Sequence, residues 1–234
     1  MLLPPLSSGK ILRRYKRFFA DIELDTGEEV VVHCPNTGAM TSCWEPGAPA
    51  QVSHSDNPKR KLQWTLERVD MGYGWVGVNT ARVNHVIAEG IRTHAIAISE
   101  PFDELQTEPR FESTNHPKSR FDILLNNSNE PRVYIEVKNT TLLIDENIMF
   151  PDAITERGRK HLLLLSEAVQ RGFRGIIVFA LNRPEGKYFQ AASDIDPDYA
   201  ECLEQVVEQG VEIKVVRLKH TIDSIEVVGA VSYP

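Results

Sequence analysis

From residue 17 to 79 the chain alternates apolar and polar positions in short runs. Phe19-Ala20-Asp21-Ile22-Glu23-Leu24 has a period of two, which marks a half-buried strand. After the turn signal Asp25-Thr26-Gly27 comes the β-branched run Glu29-Val30-Val31-Val32-His33-Cys34. Residues 50–53, 62–69 and 75–79 read as three further strands. Five short strands with no long helix between them predict a small closed barrel, for which the five-stranded OB-fold is the leading candidate. Residues 80–90 read as a helix, with Val83, Val86 and Ile87 at helical spacing.

The pattern then changes. A stretch rich in proline and charge, residues 101–109, precedes two apolar runs, Phe121-Asp122-Ile123-Leu124-Leu125 and Tyr134-Ile135-Glu136-Val137-Lys138. A helix is predicted from Ala153 to about Gln170, with Asp152 as its N-cap and a stop near Gly172. Gly158 inside that helix costs about 1 kcal/mol relative to alanine. It therefore points to close approach by another element or by a phosphate. Residues 174–181 form an apolar, buried strand, an acidic helix spans about 198–208, and 213–216 is a last strand. This order predicts an α/β domain with a mixed sheet. The expected division is a barrel domain over residues 1–85 and an α/β domain over 86–234.

Composition narrows the class. The chain has 234 residues, 41% apolar and 25% charged, ordinary for a globular protein. No run approaches the roughly 18 apolar residues of a membrane span, so no membrane association is expected. The first six residues, broken by Pro4 and Pro5, are too short for a signal-peptide core. Cys34, Cys43 and Cys202 have no metal-type spacing and read as reduced thiols of a cytoplasmic protein. The net charge of −7 by itself disfavours nucleic acid, but it sits in one window. Residues 185–212 hold eight acids and one base, and the remainder is neutral. Within that remainder, bases cluster at Lys10, Arg13, Arg14, Lys16 and Arg17, at Lys59-Arg60-Lys61, and at Arg157, Arg159, Lys160 and His161. Such patches bind a phosphate backbone on a chain that is acidic overall. Taken singly, each reads first as a solvated surface.

The chemistry centres on Asp122 and Glu136-Val137-Lys138. Period two puts Glu136 and Lys138 on one strand face, with Ile135 and Val137 on the other. If the two apolar runs pair as a hairpin, two carboxylates and an ammonium converge. Such a cluster suits a divalent metal and the hydrolysis of a phosphodiester. The plain alternative is a solvated cross-strand ion pair, worth little.

Six ordered motifs then carry a resemblance. They are His33-Cys34-Pro35-Asn36-Thr37-Gly38-Ala39-Met40, Asn57-Pro58-Lys59-Arg60-Lys61-Leu62, Val76-Gly77-Val78-Asn79-Thr80, Ser119-Arg120-Phe121-Asp122, Glu136-Val137-Lys138-Asn139 and the run from Phe150 to Leu162. Together they closely resemble the sugar fermentation stimulation protein A family of bacteria and archaea. The resemblance implies an N-terminal OB-like nucleic-acid-binding domain and a C-terminal domain similar to restriction-endonuclease-type (PD-(D/E)xK) nucleases. It also implies non-specific DNA binding and a proposed regulatory role in maltose metabolism. In that pattern Asp122 and Glu136 resemble the metal-ligating acids and Lys138 the lysine of the Glu-x-Lys element. The Val137 carbonyl is implied as a further ligand, and Glu112 as a further acid near the metal. Phe121 stands where those nucleases often carry proline.

The expected cofactor is Mg²⁺ or Mn²⁺, since hard oxygen ligands suit those ions. Arg157, Lys160 and His161 are three and four residues apart, so they share a helix face, expected to point at the metal and contact phosphates. Lys59, Arg60 and Lys61 read as backbone-phosphate contacts. Trp64 and Trp75 are either base-stacking platforms or barrel core. His33, Asn36 and Thr37 are either a second polar site or turn chemistry. Three readings stay open: a metal-dependent nuclease, a DNA-binding regulator whose nuclease-like domain only clamps DNA, and a factor processing single-stranded nucleic acid. A homo-oligomer is compatible with all three.

Overall fold

The computed structural model describes residues 1–98, 101–114, 116–128 and 130–231. The barrel consists of β1 (Leu6–Tyr15), β2 (Phe19–Leu24), β3 (Glu29–His33), β4 (Pro49–His54) and β5 (Trp64–Asp70), with β6 (Trp75–Gly77) attached. β1 pairs antiparallel with both β2 and β4, β4 pairs with β5, and a parallel contact of β3 with β5 closes the barrel. Register shifts between Ile11 and Arg13 let one long strand bend between two partners. The interior is apolar, with Ile11, Ile22, Val32, Val52, Leu66 and Val69 buried.

Five strands close the barrel as expected, but one member differs. β1 occupies a stretch read from sequence only as a basic cluster. Of its ten residues only Gly9 and Ile11 are buried, so it shows no apolar alternation. The predicted fifth strand is β6, which pairs with β5 alone.

The second domain runs through α1 (Thr80–Arg92), β7 (Glu104–Thr107), β8 (Arg110–Phe111), β9 (Ser119–Arg120), β10 (Ile123–Asn126), β11 (Val133–Thr140), β12 (Leu142–Ile144) and β13 (Asn147–Phe150). It continues with α2 (Glu156–Gln170), β14 (Arg174–Leu181), β15 (Tyr188–Ala191), α3 (Pro197–Glu208), β16 (Glu212–His220) and β17 (Ile225–Ala230). The main sheet has the order β17-β16-β14-β11-β10-β7. β11, β14 and β16 are parallel, and the outer pairings are antiparallel, so the sheet is mixed. Alternation along the strands divides the core. Ile135, Val137, Ile176 and Val178 pack with Val83, Val86 and Ile87 of α1. Tyr134, Ile177 and Phe179 pack with Leu162 and Leu165 of α2 and Leu203 and Val206 of α3.

Two further expectations are corrected. The proline- and charge-bearing stretch contains the edge strand β7, whose residues are mostly exposed and so carry no apolar signal. The helix α2 starts three residues later than predicted, and its N-cap is Thr155, whose hydroxyl accepts from the Gly158 amide at 3.0 Å. Asp152 accepts instead from the Met40 amide of the barrel at 2.9 Å. A Cβ at Gly158 would lie 2.7 Å from the side chain of the helix's own N-cap, Thr155, and 3.1 Å from the Tyr199 ring of α3, so close packing leaves little room for a side chain there.

Buried charges rivet the two domains together. Glu67 of β5 is 3% exposed. It accepts from Ser53 (2.6 Å), Asn79 (2.8 Å) and the Arg82 guanidinium of α1 (2.8 and 3.1 Å). Burial pushes its pKa up, but these donors outweigh it and hold the carboxyl below its usual range. Its neighbour Arg68 donates to the carbonyls of Thr221 (2.6 Å) and Ile222 (2.9 Å), in the turn after β16. Arg183, equally buried, donates to the Thr141 carbonyl (2.6 Å) and the Ser42 hydroxyl (3.0 Å).

His220 lies in the same junction. The Asn182 amide group donates to the Gly77 carbonyl (3.1 Å) and to Asn139 Oδ1 (2.9 Å), so its own oxygen faces His220 Nε2 at 2.8 Å. Nε2 therefore carries the hydrogen, and Nδ1 is buried without a partner. Burial, with Arg68 nearby, pushes the His220 pKa down to about 4. Unfolded histidine titrates near 6.5, so between pH 6.5 and 4 the unfolded chain binds the extra proton and stability falls with pH. We expect His220 to remove about 2 kcal/mol on going from pH 7 to 5. Urea unfolding of the parent and His220→Gln at both pH values tests this. The variant should lose about 2 kcal/mol less than the parent, and equal losses would refute the assignment.

Candidate functional site

The acids meet through sheet register. β10 and β11 pair antiparallel with Ile123 opposite Ile135, which brings Asp122 opposite Glu136. The expected hairpin therefore forms. Glu136 and Lys138 continue the α2 face of β11 beyond Tyr134, from the middle of the strand toward its carboxyl end.

Asp122 is tightly held. Oδ2 accepts from the Val137 amide at 2.7 Å, and Oδ1 accepts from Asn84 Nδ2 of α1 at 2.8 Å. Burial, then the nearby Glu136, push its pKa up to about 6, against the pull of these donors and Lys138. Glu136 is 2% exposed. Its Oε1 accepts from Lys138 Nζ at 2.6 Å and from His161 Nδ1 in a short contact. Burial pushes this carboxyl up, but Lys138 and His161 more than offset it and keep it ionised below the usual range. Its second oxygen, Oε2, is buried and accepts from nothing. In a strand the N–H and C=O of one residue leave the same edge, so the Val137 carbonyl faces the Asp122 side.

These groups line a cleft of about 710 Å³ between the domains. The barrel supplies the opposite wall, through Arg17 and the loop from Asn36 to Ala39. That loop is fastened from both sides. Arg14 donates to the carbonyls of Asn36 (3.0 Å) and Gly38 (2.8 Å), while the Asp152 carboxylate holds the Met40 amide. A Cβ at Gly38 would collide with Asp152, so only glycine allows this approach. Met40 and Ser42 sit at positive φ (56° and 66°), strained for residues with side chains. The Asn-Thr-Gly run is thus both turn and cleft wall.

The other predicted residues divide. Arg157 lines the cleft, and His161 lines it while bound to Glu136. Lys160 does not line it, because its position on the helix turns it to the flank. Glu112 is not brought to the acids. Its side chain is exposed, and its carbonyl accepts from Arg171 (2.7 Å) at the far end of α2. Lys59 and Lys61 are exposed in the β4–β5 loop, and Arg60 donates to the Thr65 hydroxyl at 2.6 Å. Phe19 lies opposite His33, and His33 opposite Thr65, so this loop leaves the same barrel rim as the Lys16-Arg17 turn. Trp64 is half-buried and meets His54 edge-on, and Trp75 is covered by the Arg68 guanidinium. Asn84, Arg17 and Asp152 went unread as site residues. Each is a single polar residue whose neighbours come from another element, so nothing local marks it.

Comparison with known proteins agrees with this architecture. The family model described as "SfsA N-terminal OB domain" matches residues 12–78, and that of the "Sugar fermentation stimulation protein RE domain" matches residues 81–224. A sugar fermentation stimulation protein homolog of Shewanella loihica is 45% identical over 214 residues, 91% of this chain and 90% of that protein. The homolog of Acidithiobacillus ferrooxidans is 42% identical over 226 residues, 96% of each. Among solved structures, Pyrococcus furiosus SfsA in complex with Ca²⁺ matches with a TM-score of 0.88 at 24% identity, covering 99% of this chain and 97% of that one. The chain belongs to the sugar fermentation stimulation protein family.

Asp122 makes the site costly to the metal-free fold. Its pKa of about 6 exceeds the unfolded value, so its contribution is intact below pH 4 and is lost as pH rises through 6. In EDTA at pH 7.5, Asp122→Asn should therefore be more stable than the parent by about 1–3 kcal/mol, provided Asn84 turns its amide to match. Thermal or urea unfolding measures this, and a destabilised variant would contradict it.

Proposed function

We propose that this member of the sugar fermentation stimulation protein family binds nucleic acid without sequence specificity and hydrolyses phosphodiester bonds with Mg²⁺ or Mn²⁺. The observation that carries the reading is Glu136 Oε2. An ionised, buried carboxylate oxygen without a donor is expensive, and here it lies beside a second, partly buried acid, Asp122. A divalent cation offsets both costs. Among the described residues no three His, Cys, Asp or Glu side chains gather around one point. Magnesium needs no such cage, since it takes one or two carboxylates and keeps its waters. Asp122, Glu136 and the Val137 carbonyl would hold the ion. An ion held by these groups would polarise a phosphoryl oxygen and acidify a water. Pyrococcus furiosus SfsA, solved as a complex with Ca²⁺, supports a hard divalent ion in this fold.

The chain's own groups fill the remaining roles. Lys138, ion-paired to Glu136, supplies a positive charge to the pentavalent phosphorus. His161 positions Glu136 by donating from Nδ1. Arg17 and Arg157 face each other's domains across the cleft and suit substrate phosphates. Lys59 and Lys61 extend the basic rim. Among the described residues α1, α2 and α3 all pack against the sheet and none stands free to enter a major groove, which favours backbone binding over base readout. Three free, buried cysteines suit a cytoplasmic setting.

The test uses labelled single- and double-stranded DNA with Mg²⁺, Mn²⁺ or EDTA. Asp122→Ala and Glu136→Ala should lose about 10³-fold or more of metal-dependent cleavage, and Lys138→Ala about 10²-fold. All three should still bind DNA in EDTA. Cleavage undiminished in Glu136→Ala would refute the site. Binding by the parent without cleavage under any metal would replace this reading with that of a DNA clamp or regulator, as in the family's proposed link to sugar metabolism.

A further inference from the structure

A second concave, polar surface of about 490 Å³ lies at the β7 edge of the sheet, away from the cleft. Arg110, Arg120 and Arg132 converge on it, above Tyr134 and Asn126. Arg110 and Arg120 are direct cross-strand partners in the β8–β9 pair. Like charges placed opposite one another destabilise a strand pair. The one acid among the lining residues, Glu108, reaches only Arg120, at 3.6 Å. Among the described residues, Arg110 and Arg132 have no acidic or hydrogen-bonding side-chain partner. A chain with net charge −7 thus gathers three guanidinium groups around one hollow. The fold gains nothing from the arrangement unless an anion completes it.

We infer that Arg110, Arg120 and Arg132 form a second phosphate-binding site, which holds a nucleic-acid strand outside the catalytic cleft. Guanidinium forks match phosphate oxygens bidentately, and their charge survives at any physiological pH. The choice of nucleic acid rests on the proposed function and on geometry. Arg132 lies immediately before β11, the strand that carries Glu136. Four residues of extended chain separate Arg132 from Glu136 by about 13 Å. At one phosphate per 3.4 Å of strand, that is about four nucleotides. One strand therefore reaches both places, with its scissile bond at the acids and its flank on the arginines. The site supplies no base contact, so it strengthens binding without adding sequence preference.

The experiment uses the full chain in EDTA, which separates it from any outcome on catalysis. The parent and the double variant Arg110→Gln/Arg132→Gln bind fluorescent 24-nucleotide and 4-nucleotide oligomers across a salt series. For the long oligomer the variant should bind about 10-fold more weakly near 0.1 M salt. Its log K against log salt slope should be shallower by about 1.4–1.8, the value for two lost phosphate contacts. For the short oligomer, parent and variant should agree within twofold. Oligomers with and without a 5′-phosphate distinguish the source: a loss on both means backbone phosphates, and a loss confined to the phosphorylated one means a terminal phosphate on the same arginines. Equal affinity and slope on the long oligomer would overturn the site. So would an equal loss on the short one, which would mean that the substitutions disturb the cleft. Both arginines are exposed, and an unchanged melting temperature confirms that the variant is folded.

Discussion

The buried polar junction between the domains is the constraint on which the rest depends. Glu67, Arg68 and Arg183 are each almost wholly removed from water. Burial of that kind is tolerable only where every charge is matched. Glu67 is matched by Arg82 of α1, Arg68 by carbonyls after β16, and Arg183 by the nearby Glu185 carboxylate and by Thr141 and Ser42. Breaking one such pair strands a charge and typically costs about 3–5 kcal/mol. The strength of the penalty makes the junction specific, because few relative placements of the domains satisfy all three residues together. The cleft is a consequence of that placement. Its walls come from different domains, and neither domain alone encloses it.

Stability is given up at the site and recovered around it. Two carboxylates lie side by side in a poorly hydrated place, one with its pKa raised and the other with a lone oxygen. The surroundings hold them there: the Val137 amide and Asn84 grip Asp122, while Lys138 and His161 grip Glu136. The barrel loop opposite them is strained at Met40 and Ser42 and is clamped by Arg14 and Asp152. This concentration of cost and support in one region is what a preorganised site requires. The acidic window in the sequence has a structural share in it. Asp196 caps α3 through the Tyr199 amide (3.0 Å) and also accepts from the amide of Thr155 (2.7 Å), the N-cap of α2. It thereby holds the helix end from which Arg157 and His161 reach the cleft.

Periodicity alone was enough for most elements. The alternation in residues 19–24, the apolar run 174–181 and the helical spacing after Thr80 appear in the fold at or within two residues of their predicted bounds. So does the convergence of Asp122 with Glu136 and Lys138, because a strand period of two and a hairpin register are local rules. β1 was not legible, since a barrel strand that buries two side chains has little pattern to show. β7 and β17 are edge strands with largely exposed residues. The start of α2 was misjudged because Asp152 and Thr155 are both good caps, and only the barrel's Met40 amide decides which one is engaged elsewhere.

The sequence by itself determined the two domains' classes, the face on which the acids lie and the family to which the chain belongs. Each of these follows from residues close in the chain, or from motifs in order. The tertiary structure alone decided the partners. It set His161 on Glu136, brought Asn84 to Asp122, carried Glu112 away to the far end of α2, and gathered Arg110, Arg120 and Arg132 into one hollow. These are contacts between residues far apart in the chain, fixed by how packed layers and matched buried charges lock together, and no local pattern encodes them.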